Sequence, residues 1–247
     1  MKLTFLGTGT STGVPYIGCK CAVCNSSDPK DNRLRCSALL ETHGKKILLD
    51  CGPDFRQQAL RAGLTHLDII LLTHKHTDHV GGLDDLRPFG RVPIYANRST
   101  IAHIHEAYSY CFDNDYKGIP QIELHQIRNE KFTTCGIEIT PILAYHYKLP
   151  NFGYRIGNFA YLTDYKTIEE KEMKKLMGLD VLVLDALRYT EHFSHASVGE
   201  SLALVERVKP KSAYFVHANH DIGLHETVEA ALPENVHLAY DGLTIEF

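Results

Sequence analysis

The sequence has 247 residues, which is close to the upper size for a single hydrophobic core, and we therefore expect one domain over residues 1–247. Hydrophobic residues make up 44% of the chain and charged residues 23%, a balance that excludes a disordered protein. A formal net charge of −4 without a basic tract argues against binding to long nucleic acid. The chain shows neither a signal peptide nor a stretch of about 20 apolar residues, which predicts a cytoplasmic protein without a membrane partner.

The first half of the chain alternates predicted strands with predicted helices. A strand at 2–6 leads into a loop of Gly, Thr and Ser at 7–13. Apolar periodicity and turn residues predict further strands at 37–41, 46–49, 67–72 and 92–96, and helices at 53–62, 83–86 and 101–110. This order of strand, helix and strand is typical of an α/β protein.

The second half repeats this pattern. We predict strands at 136–143, 152–156, 158–162, 181–184, 212–216, 236–239 and 243–247, and helices at 168–177, 197–209 and 225–231. No linker or low-complexity segment separates the halves. Two strand-rich halves flanked by helices predict an αβ/βα sandwich, in which two sheets pack face to face.

Four side chains that can bind a metal lie within six positions, directly after the apolar strand at 67–72. They are His74, His76, Asp78 and His79. Neutral imidazole and carboxylate groups suit zinc, manganese or iron, and a short irregular loop would let alternate side chains converge. A solvated polar loop is the alternative, but four such groups at this density favour a metal site.

The His-x-His-x-Asp-His segment resembles the motif of the metallo-β-lactamase superfamily position for position. By this resemblance, His74 and His76 would bind one metal, and Asp78 and His79 would bind a second. The superfamily has further ligands at strand ends downstream, and the chain offers matching residues in the same order. These are His146 for the first metal, Asp164 as a carboxylate that bridges both metals, and His217 for the second.

Asp50, which closes Ile-Leu-Leu-Asp, resembles the aspartate with which this superfamily orients the histidine loop from beneath. Such a partner fixes the tautomer of a ligating imidazole and raises its basicity. The alternative is an aspartate that caps the helix following Gly52. The sequence leaves both roles open.

Three cysteines lie close together in a loop far from the histidine cluster. Cys19, Cys21 and Cys24 have a spacing that favours a tetrahedral zinc site, with a redox pair or chance clustering as the alternative. Such a site needs a fourth ligand. His220 is the candidate because it follows His217 by three residues.

The same segments resemble the PhnP group of phosphodiesterases along nearly the whole chain. The resemblance is carried by Gly-Thr-Gly-Thr-Ser-Thr-Gly-Val-Pro, Cys-x-Cys-x-x-Cys and His-x-x-His-Asp. It implies that Cys19, Cys21, Cys24 and His220 hold a structural zinc. The remaining cysteines have no such assignment, and we expect them to be packing residues. They are Cys36, Cys51, Cys111 and Cys135.

The resemblance implies hydrolysis at a pair of divalent metals, zinc or manganese, in which a shared hydroxide attacks phosphorus. Asp78 and Asp164 would take part through the metals. His195, before the helix at 197–209, matches a histidine used near the substrate phosphate and is our candidate general acid. His192 is a nearby competitor. The loop at 8–13 is a candidate for substrate binding, because its backbone N–H groups could contact the substrate.

These residues predict an enzyme that hydrolyses a small phosphodiester, with a cyclic phosphate as the preferred substrate class. Two alternatives stay open. One is tRNA 3′ processing of the tRNase Z type, although the chain lacks a long Gly- and Pro-rich arm between His146 and His195. The other is a metalloprotein or carrier without catalysis, resembling relatives in pyrroloquinoline-quinone biosynthesis. A homodimer also stays open.

Overall fold

The computed structural model describes residues 1–112 and 118–247, and its strands form two mixed sheets. The strands are β1 (Lys2–Gly7), β2 (Ser37–Thr42), β3 (Lys45–Leu49), β4 (Ile69–Leu71), β5 (Val92–Ala96), β6 (Ile122–Gln126), β7 (Phe132–Thr134), β8 (Ile137–His146), β9 (Leu149–Ile156), β10 (Phe159–Leu162), β11 (Thr167–Ile168), β12 (Val181–Asp185), β13 (Ser212–Val216), β14 (Val236–Leu238) and β15 (Thr244–Glu246). The helices are α1 (Phe55–Arg61), α2 (Thr77–Val80), α3 (Arg98–Ala107), α4 (Glu170–Met173), α5 (Val198–Val208) and α6 (His225–Ala231).

The two sheets share one arrangement of antiparallel and parallel strands. The first sheet has the order β15-β1-β2-β3-β4-β5-β6, and the second has the order β11-β8-β9-β10-β12-β13-β14, with β7 beside β8. Pairing in the first sheet is antiparallel up to β3 and parallel from β3 to β6. Pairing in the second sheet is antiparallel up to β10 and parallel from β10 to β14. The parallel strands of each sheet therefore end at a common edge.

The main apolar core lies between the two sheets. Phe5 and Leu49 of the first sheet belong to the same buried cluster as Tyr161 and Val183 of the second. A separate cluster joins the outer face of the first sheet to α1 and α3, and another joins the second sheet to α5 and α6. This is the αβ/βα sandwich that the sequence predicts, and the predicted fold class is confirmed.

Local sequence explains the central strands and the best-defined helix. Every residue of β4 and β12 is buried, as expected for parallel strands that are covered on both faces. Helix α5 begins with a capping box, in which Ser197 and Glu200 satisfy each other's backbone N–H groups. It has 11 residues, and within the described ranges no helix is long and apolar enough to cross a membrane.

Three features differ from the sequence-based expectations. The predicted helix at 168–177 begins as strand β11, which pairs with β8, and only Glu170–Met173 is α-helical. Strands β6 and β7 were not predicted. The histidine cluster is not an irregular loop throughout, because Asp78 and His79 lie on the single turn of α2. The ligand atoms of these two residues nevertheless lie within 4.8 Å of each other.

Candidate metal centre

Strand ends from both sheets bring the predicted ligands together. Six strands deliver a polar side chain at or just beyond their last residue. This is the edge at which open α/β sheets place their ligand sites. The side chains are Asp50 after β3, His74 after β4, His146 at the end of β8, Asp164 after β10, Asp185 at the end of β12 and His217 after β13.

Three of these residues have a left-handed backbone conformation. The angle φ is 62° at Asp50, 52° at Asp164 and 62° at His217. Residues other than glycine seldom adopt this region, and such strain collects at functional sites where the surroundings enforce it. At Asp164 the enforcing group is the buried Asn151, whose Nδ2 donates to the carbonyls of Thr163 and Asp164 at 2.6 and 2.8 Å.

The first ligand group consists of His74, His76 and His146. Their ligand atoms lie within 4.8 Å of one another, and Nε2 of His74 is 3.0 Å from Nδ1 of His76. His146 donates from Nδ1 to the carbonyl of Ser194 at 2.8 Å, which leaves its Nε2 free to bind a metal. The structure thus brings together the three histidines that the resemblance assigned to one metal.

The second group consists of Asp78, His79, Asp164 and His217, and its ligand atoms also lie within 4.8 Å of one another. Nε2 of His79 is 3.1 Å from both carboxylates, and Nε2 of His217 is 3.5 Å from Asp78 and 3.3 Å from Asp164. Nitrogen and oxygen ligands about 2.0 to 2.1 Å from a tetrahedral ion are spaced about 3.3 Å apart. The observed spacing therefore fits a single cation.

The Nε2 atoms of the two histidines in this group have no hydrogen-bond partner among the described residues. Nε2 of His79 and Nε2 of His217 are buried and unpaired among the described residues, although carboxylate oxygens lie close by. Leaving a buried polar atom unpaired costs about 1–3 kcal/mol. A bound cation would satisfy both nitrogens, so these residues fit a divalent metal better than they fit a hydrogen-bonded cluster.

The electrostatics of the two groups differ. Burial lowers the pKa of His217, but the carboxylates of Asp164 and Asp78 outweigh burial and raise that pKa to about 9. The pKa of His79 is likewise raised well above its usual range, because the nearby carboxylates outweigh the lowering effect of burial. These carboxylates therefore attract positive charge, which a divalent cation would supply. In the first group burial lowers the pKa of His146 to about 4, so its imidazole is neutral at pH 7 and can bind a metal.

Asp50 lies beneath the histidine loop and is fully buried. His79 donates from Nδ1 to Asp50 Oδ2 at 2.8 Å, and Thr73 donates from its backbone N–H to Oδ1 at 2.8 Å and from its hydroxyl to Oδ2 at 3.1 Å. This geometry matches the role in which Asp50 orients the ring of His79. The alternative role as a helix cap is not observed, because Asp54 occupies the N-cap position of α1.

Replacing Asp50 with asparagine should weaken metal binding. The amide keeps the size of the side chain but removes the charge that accepts the Nδ1–H of His79. Changes to groups that orient a ligand lower metal affinity about 10- to 100-fold, and competition with a chromogenic chelator would measure the loss. Asp54→Asn, which disrupts an ion pair with Arg35 at 3.0 Å, is the matched control. Equal losses in both variants would reject the orienting role.

A second cluster joins the N-terminal loop to the loop after β13. The ligand atoms of Cys19, Cys21, Cys24 and His220 lie within 4.8 Å of one another. The Sγ atoms of Cys19 and Cys21 are 3.7 and 3.5 Å from Nδ1 of His220. Tetrahedral zinc, with bonds of about 2.3 Å to sulfur and about 2.05 Å to nitrogen, spaces such ligands about 3.6 Å apart. His220, the fourth ligand predicted from the sequence, therefore lies at a suitable distance from the cysteines.

The thiols of this cluster are held by backbone N–H groups. The N–H of Cys24 donates to Cys21 Sγ at 3.4 Å, and the N–H of Tyr16 donates to Cys24 Sγ at 3.3 Å. The bond from Cys24, with help from His220, lowers the pKa of the Cys21 thiol to about 6, whereas burial raises the pKa of the Cys24 thiol to about 11. Thiolate is the form that binds zinc, so Cys21 is the thiol best prepared for the predicted ion.

A family model described as a β-lactamase superfamily domain matches residues 45–218. The chain belongs to the metallo-β-lactamase superfamily. The match includes every residue of the two His and Asp groups, and the resemblance predicted from the sequence is confirmed. Members of this fold use divalent metals, in agreement with the chemistry of both groups.

Two similar proteins refine the place of this superfamily member. A solved structure of a diphosphatase from the PhnP family has 44% sequence identity and a TM-score of 0.94, and the alignment covers 100% of this chain and 96% of that chain. An octanoyltransferase of Porphyromonas gingivalis is 41% identical over 98% of this chain. The chain spans 51% of the length of that curated relative. The PhnP-like subgroup is thus confirmed, whereas one domain over 1–247 stays a prediction.

A third comparison shows the fold alone. The structure of zinc-bound PqqB from Methylobacterium extorquens has a TM-score of 0.83 over 100% of both chains, at 21% sequence identity. The arrangement of two sheets and helices is therefore shared with proteins whose sequences have diverged widely. At this identity the similarity does not extend to activity.

In this superfamily member, His195 lies beside the candidate metal ligands. Its ring centroid is 4.5 Å from that of His146 and 4.8 Å from that of His217. Its Nδ1 donates to Asp185 Oδ2 at 2.9 Å. His192 lies one ring further out, with its centroid 5.2 Å from that of His195. The geometry favours His195 over His192 as the group closest to the candidate ligands.

Asp185 is the site residue that sequence analysis missed. It is fully buried at the end of β12, and burial raises its pKa. A second contact places its Oδ1 3.9 Å from Nδ1 of His217. The available signal was its position: Val-Leu-Val-Leu-Asp ends a buried strand with an aspartate, as Ile-Leu-Leu-Asp does at Asp50.

Most backbone N–H groups of the loop at 8–13 donate within the protein, namely those of Thr8, Gly9, Thr10 and Gly13. Contact between this loop and the substrate stays a prediction.

One expectation about the remaining cysteines is corrected by the structure. Cys36, Cys51 and Cys111 are buried as expected for packing residues. Cys135 is exposed and lies in a turn with φ of 49°, so its predicted packing role is wrong.

Proposed function

We propose that this protein is a metal-dependent phosphodiesterase that hydrolyses a small phosphodiester, with a cyclic phosphate as the first substrate class to test. The observation that carries the proposal is the convergence of seven His and Asp side chains in two adjacent groups, with His195 beside both. The 44% identical relative, a diphosphatase from the PhnP family, supports chemistry at phosphorus.

The donor sets suggest which ions are bound. Imidazole and carboxylate ligands suit zinc or manganese, and we propose one divalent ion in each of the two adjacent groups. The cysteine cluster, with three sulfur ligands and one nitrogen ligand, suits a structural zinc. Asp164 is the proposed bridge, because its two oxygens lie near His79 and His217 and its carboxylate also groups with His146.

The residues of the chain would complete the reaction. When bound, the two ions would supply Lewis acidity, which favours ionisation of water and neutralises phosphate oxygens. Asp185 fixes His195 by accepting from Nδ1, so Nε2 is the ring nitrogen that can give a proton to the leaving oxygen. Asp78 and Asp164 would hold the ions in place, and Asp50 fixes the ring of His79.

A second candidate reaction is cleavage of a phosphoric anhydride. It is favoured by the description of the 44% identical relative as a diphosphatase. Attack at phosphorus is the same in both reactions, and only the leaving group differs. Processing of tRNA is less favoured, because the described chain between His146 and His195 is occupied by β9, β10, β11, α4 and β12, which leaves no segment for a long arm.

A substrate panel would test the proposal. The metal-loaded protein should hydrolyse a 2′,3′-cyclic nucleotide, ribose 1,2-cyclic phosphate or a dinucleotide with a diphosphate bridge, and a chelator should abolish the activity. Precursor tRNA and an octanoyl thioester should not be turned over. Activity on either of these two alone would reject the proposed function, and so would the absence of any turnover.

A further inference from the structure

Two exposed aromatic rings lie at the rim of the candidate metal centre, next to residues that form it. Tyr147 directly follows His146 and is 57% exposed. Phe193 lies two residues before His195 and is 70% exposed. Their ring centroids are 5.8 Å apart and the rings are nearly perpendicular, at 81°. The pair therefore links the β8–β9 turn to the loop that carries the proposed general acid.

The backbone position of Tyr147 is unusual for an aromatic residue. It is the first residue of the two-residue turn between His146 and Leu149, and its φ is 55°. Turns of this kind favour glycine or asparagine at a position with positive φ, because other side chains crowd the backbone there. Folding alone gives no reason for a bulky exposed ring at this position. A ring held there against the local preference is the pattern expected of a binding residue.

Phe193 offers a face to solvent. His192 packs on it with ring centroids 4.6 Å apart, and Tyr147 meets it edge to face. Lys148 lies over the ring of Tyr147, with Nζ 5.3 Å from the centroid. Neighbours thus support both rings while most of the Phe193 side chain stays open. A flat ring supported in this way is a platform on which another flat group can stack.

We infer that Tyr147 and Phe193 form a stacking site for the nucleobase of the substrate, so that the natural substrate is a nucleotide and not a bare sugar phosphate. This inference rests on the proposed function and specifies its substrate class. A phosphate at the metal centre would lie beside His146 and His195, and the rings lie next to these same residues. Bases stack on exposed aromatic side chains largely independently of base identity. The site would therefore favour nucleotides as a class.

Binding of adenosine 5′-monophosphate and ribose 5-phosphate to the metal-loaded protein, measured by titration calorimetry, would test the inference. The two probes share a sugar phosphate and differ in the base. The wild type should bind the nucleotide about 10-fold or more tightly than the sugar phosphate, and Phe193→Ala should remove most of that difference. The affinity for ribose 5-phosphate should stay within about 2-fold, because the proposed phosphate site is untouched.

Two further variants separate stacking from folding. Tyr147→Gly should relieve the left-handed strain, so that the melting temperature rises while the preference for the nucleotide falls. Tyr189→Ala is the matched control, because Tyr189 is 52% exposed on the same loop as Phe193 and makes no described ring contact. It should leave the preference unchanged. Equal binding of the two probes by the wild type, or equal loss in Tyr189→Ala and Phe193→Ala, would overturn the inference.

The same experiment distinguishes this inference from the proposed function, because binding does not require turnover. A ring-dependent preference for the nucleotide without hydrolysis of any diester would uphold the stacking site and reject the phosphodiesterase. Hydrolysis of cyclic phosphates without any preference for the base would uphold the phosphodiesterase and reject the stacking site.

Discussion

Asp164→Ala should abolish hydrolysis of a chromogenic phosphodiester while leaving the cysteine-bound zinc in place. The carboxylate is buried between His79 and His217, and its loss removes the only proposed ligand shared by both ions. Removal of a single group that stabilises charge in a transition state commonly costs about 100- to 1,000-fold in kcat. The loss of a bridging ligand should be at least that large. Steady-state kinetics and metal analysis of the same preparation would measure both effects.

The control for this prediction is an aspartate outside the cluster. Asp84 lies on the surface, where it pairs with Arg87 at 2.6 Å, and Asp84→Ala should keep its activity. Metal analysis of Asp164→Ala should show a loss of the proposed catalytic ions with about one zinc retained, because four separate ligands would hold that zinc. Comparable turnover by Asp164→Ala and the wild type would reject the bridge.

His195→Ala should slow diesters with poor leaving groups far more than those with good ones. General acid catalysis contributes about 100- to 10,000-fold when the leaving oxygen needs a proton. A nitrophenolate leaves without that help, so its hydrolysis should fall much less. The measurement is the dependence of kcat/KM on leaving-group pKa, which should be steeper in the variant than in the wild type.

Two further variants complete the test of His195. His192→Ala should retain the shallow dependence of the wild type, because His192 lies one ring further from the candidate metal ligands. Asp185→Asn should reproduce part of the effect of His195→Ala, since the amide no longer orients Nδ1 as a charged acceptor does. An equal loss for good and poor leaving groups in His195→Ala would remove this histidine as the acid.

The ligand positions were predictable because each follows a strong local pattern. His74, His146 and His217 each come after a run of apolar strand residues, and the strand ends fix where those side chains lie. The family motif then supplied the order and grouping of the ligands. The local pattern places Asp185 at a strand end but could not show its role, because its partner His195 is brought to it by the packing of α5 on β12 and β13.

Strand β6 was also missed because it depends on pairing with a distant part of the chain. Strand β6 is partly exposed and contains the polar side chains of Glu123 and His125. It is stabilised by pairing with β5, about 30 residues earlier in the chain. The segment at 168–177 has high helix propensity, yet its first residue extends the second sheet because β8 offers an open edge. The exposure of Cys135 likewise follows from a hairpin turn between β7 and β8.

A homodimer and a cytoplasmic location stay predictions.

Anomalous diffraction from crystals of the metal-loaded protein would test the central claim most directly. Data collected on both sides of the zinc and manganese absorption edges should show two ions about 3.5 to 4 Å apart. One should be bound by His74, His76 and His146, the other by Asp78, His79 and His217, and Asp164 should contact both. A third peak, of zinc, should lie among Cys19, Cys21, Cys24 and His220. A single ion at the strand ends, or none after reconstitution with both metals, would contradict the account.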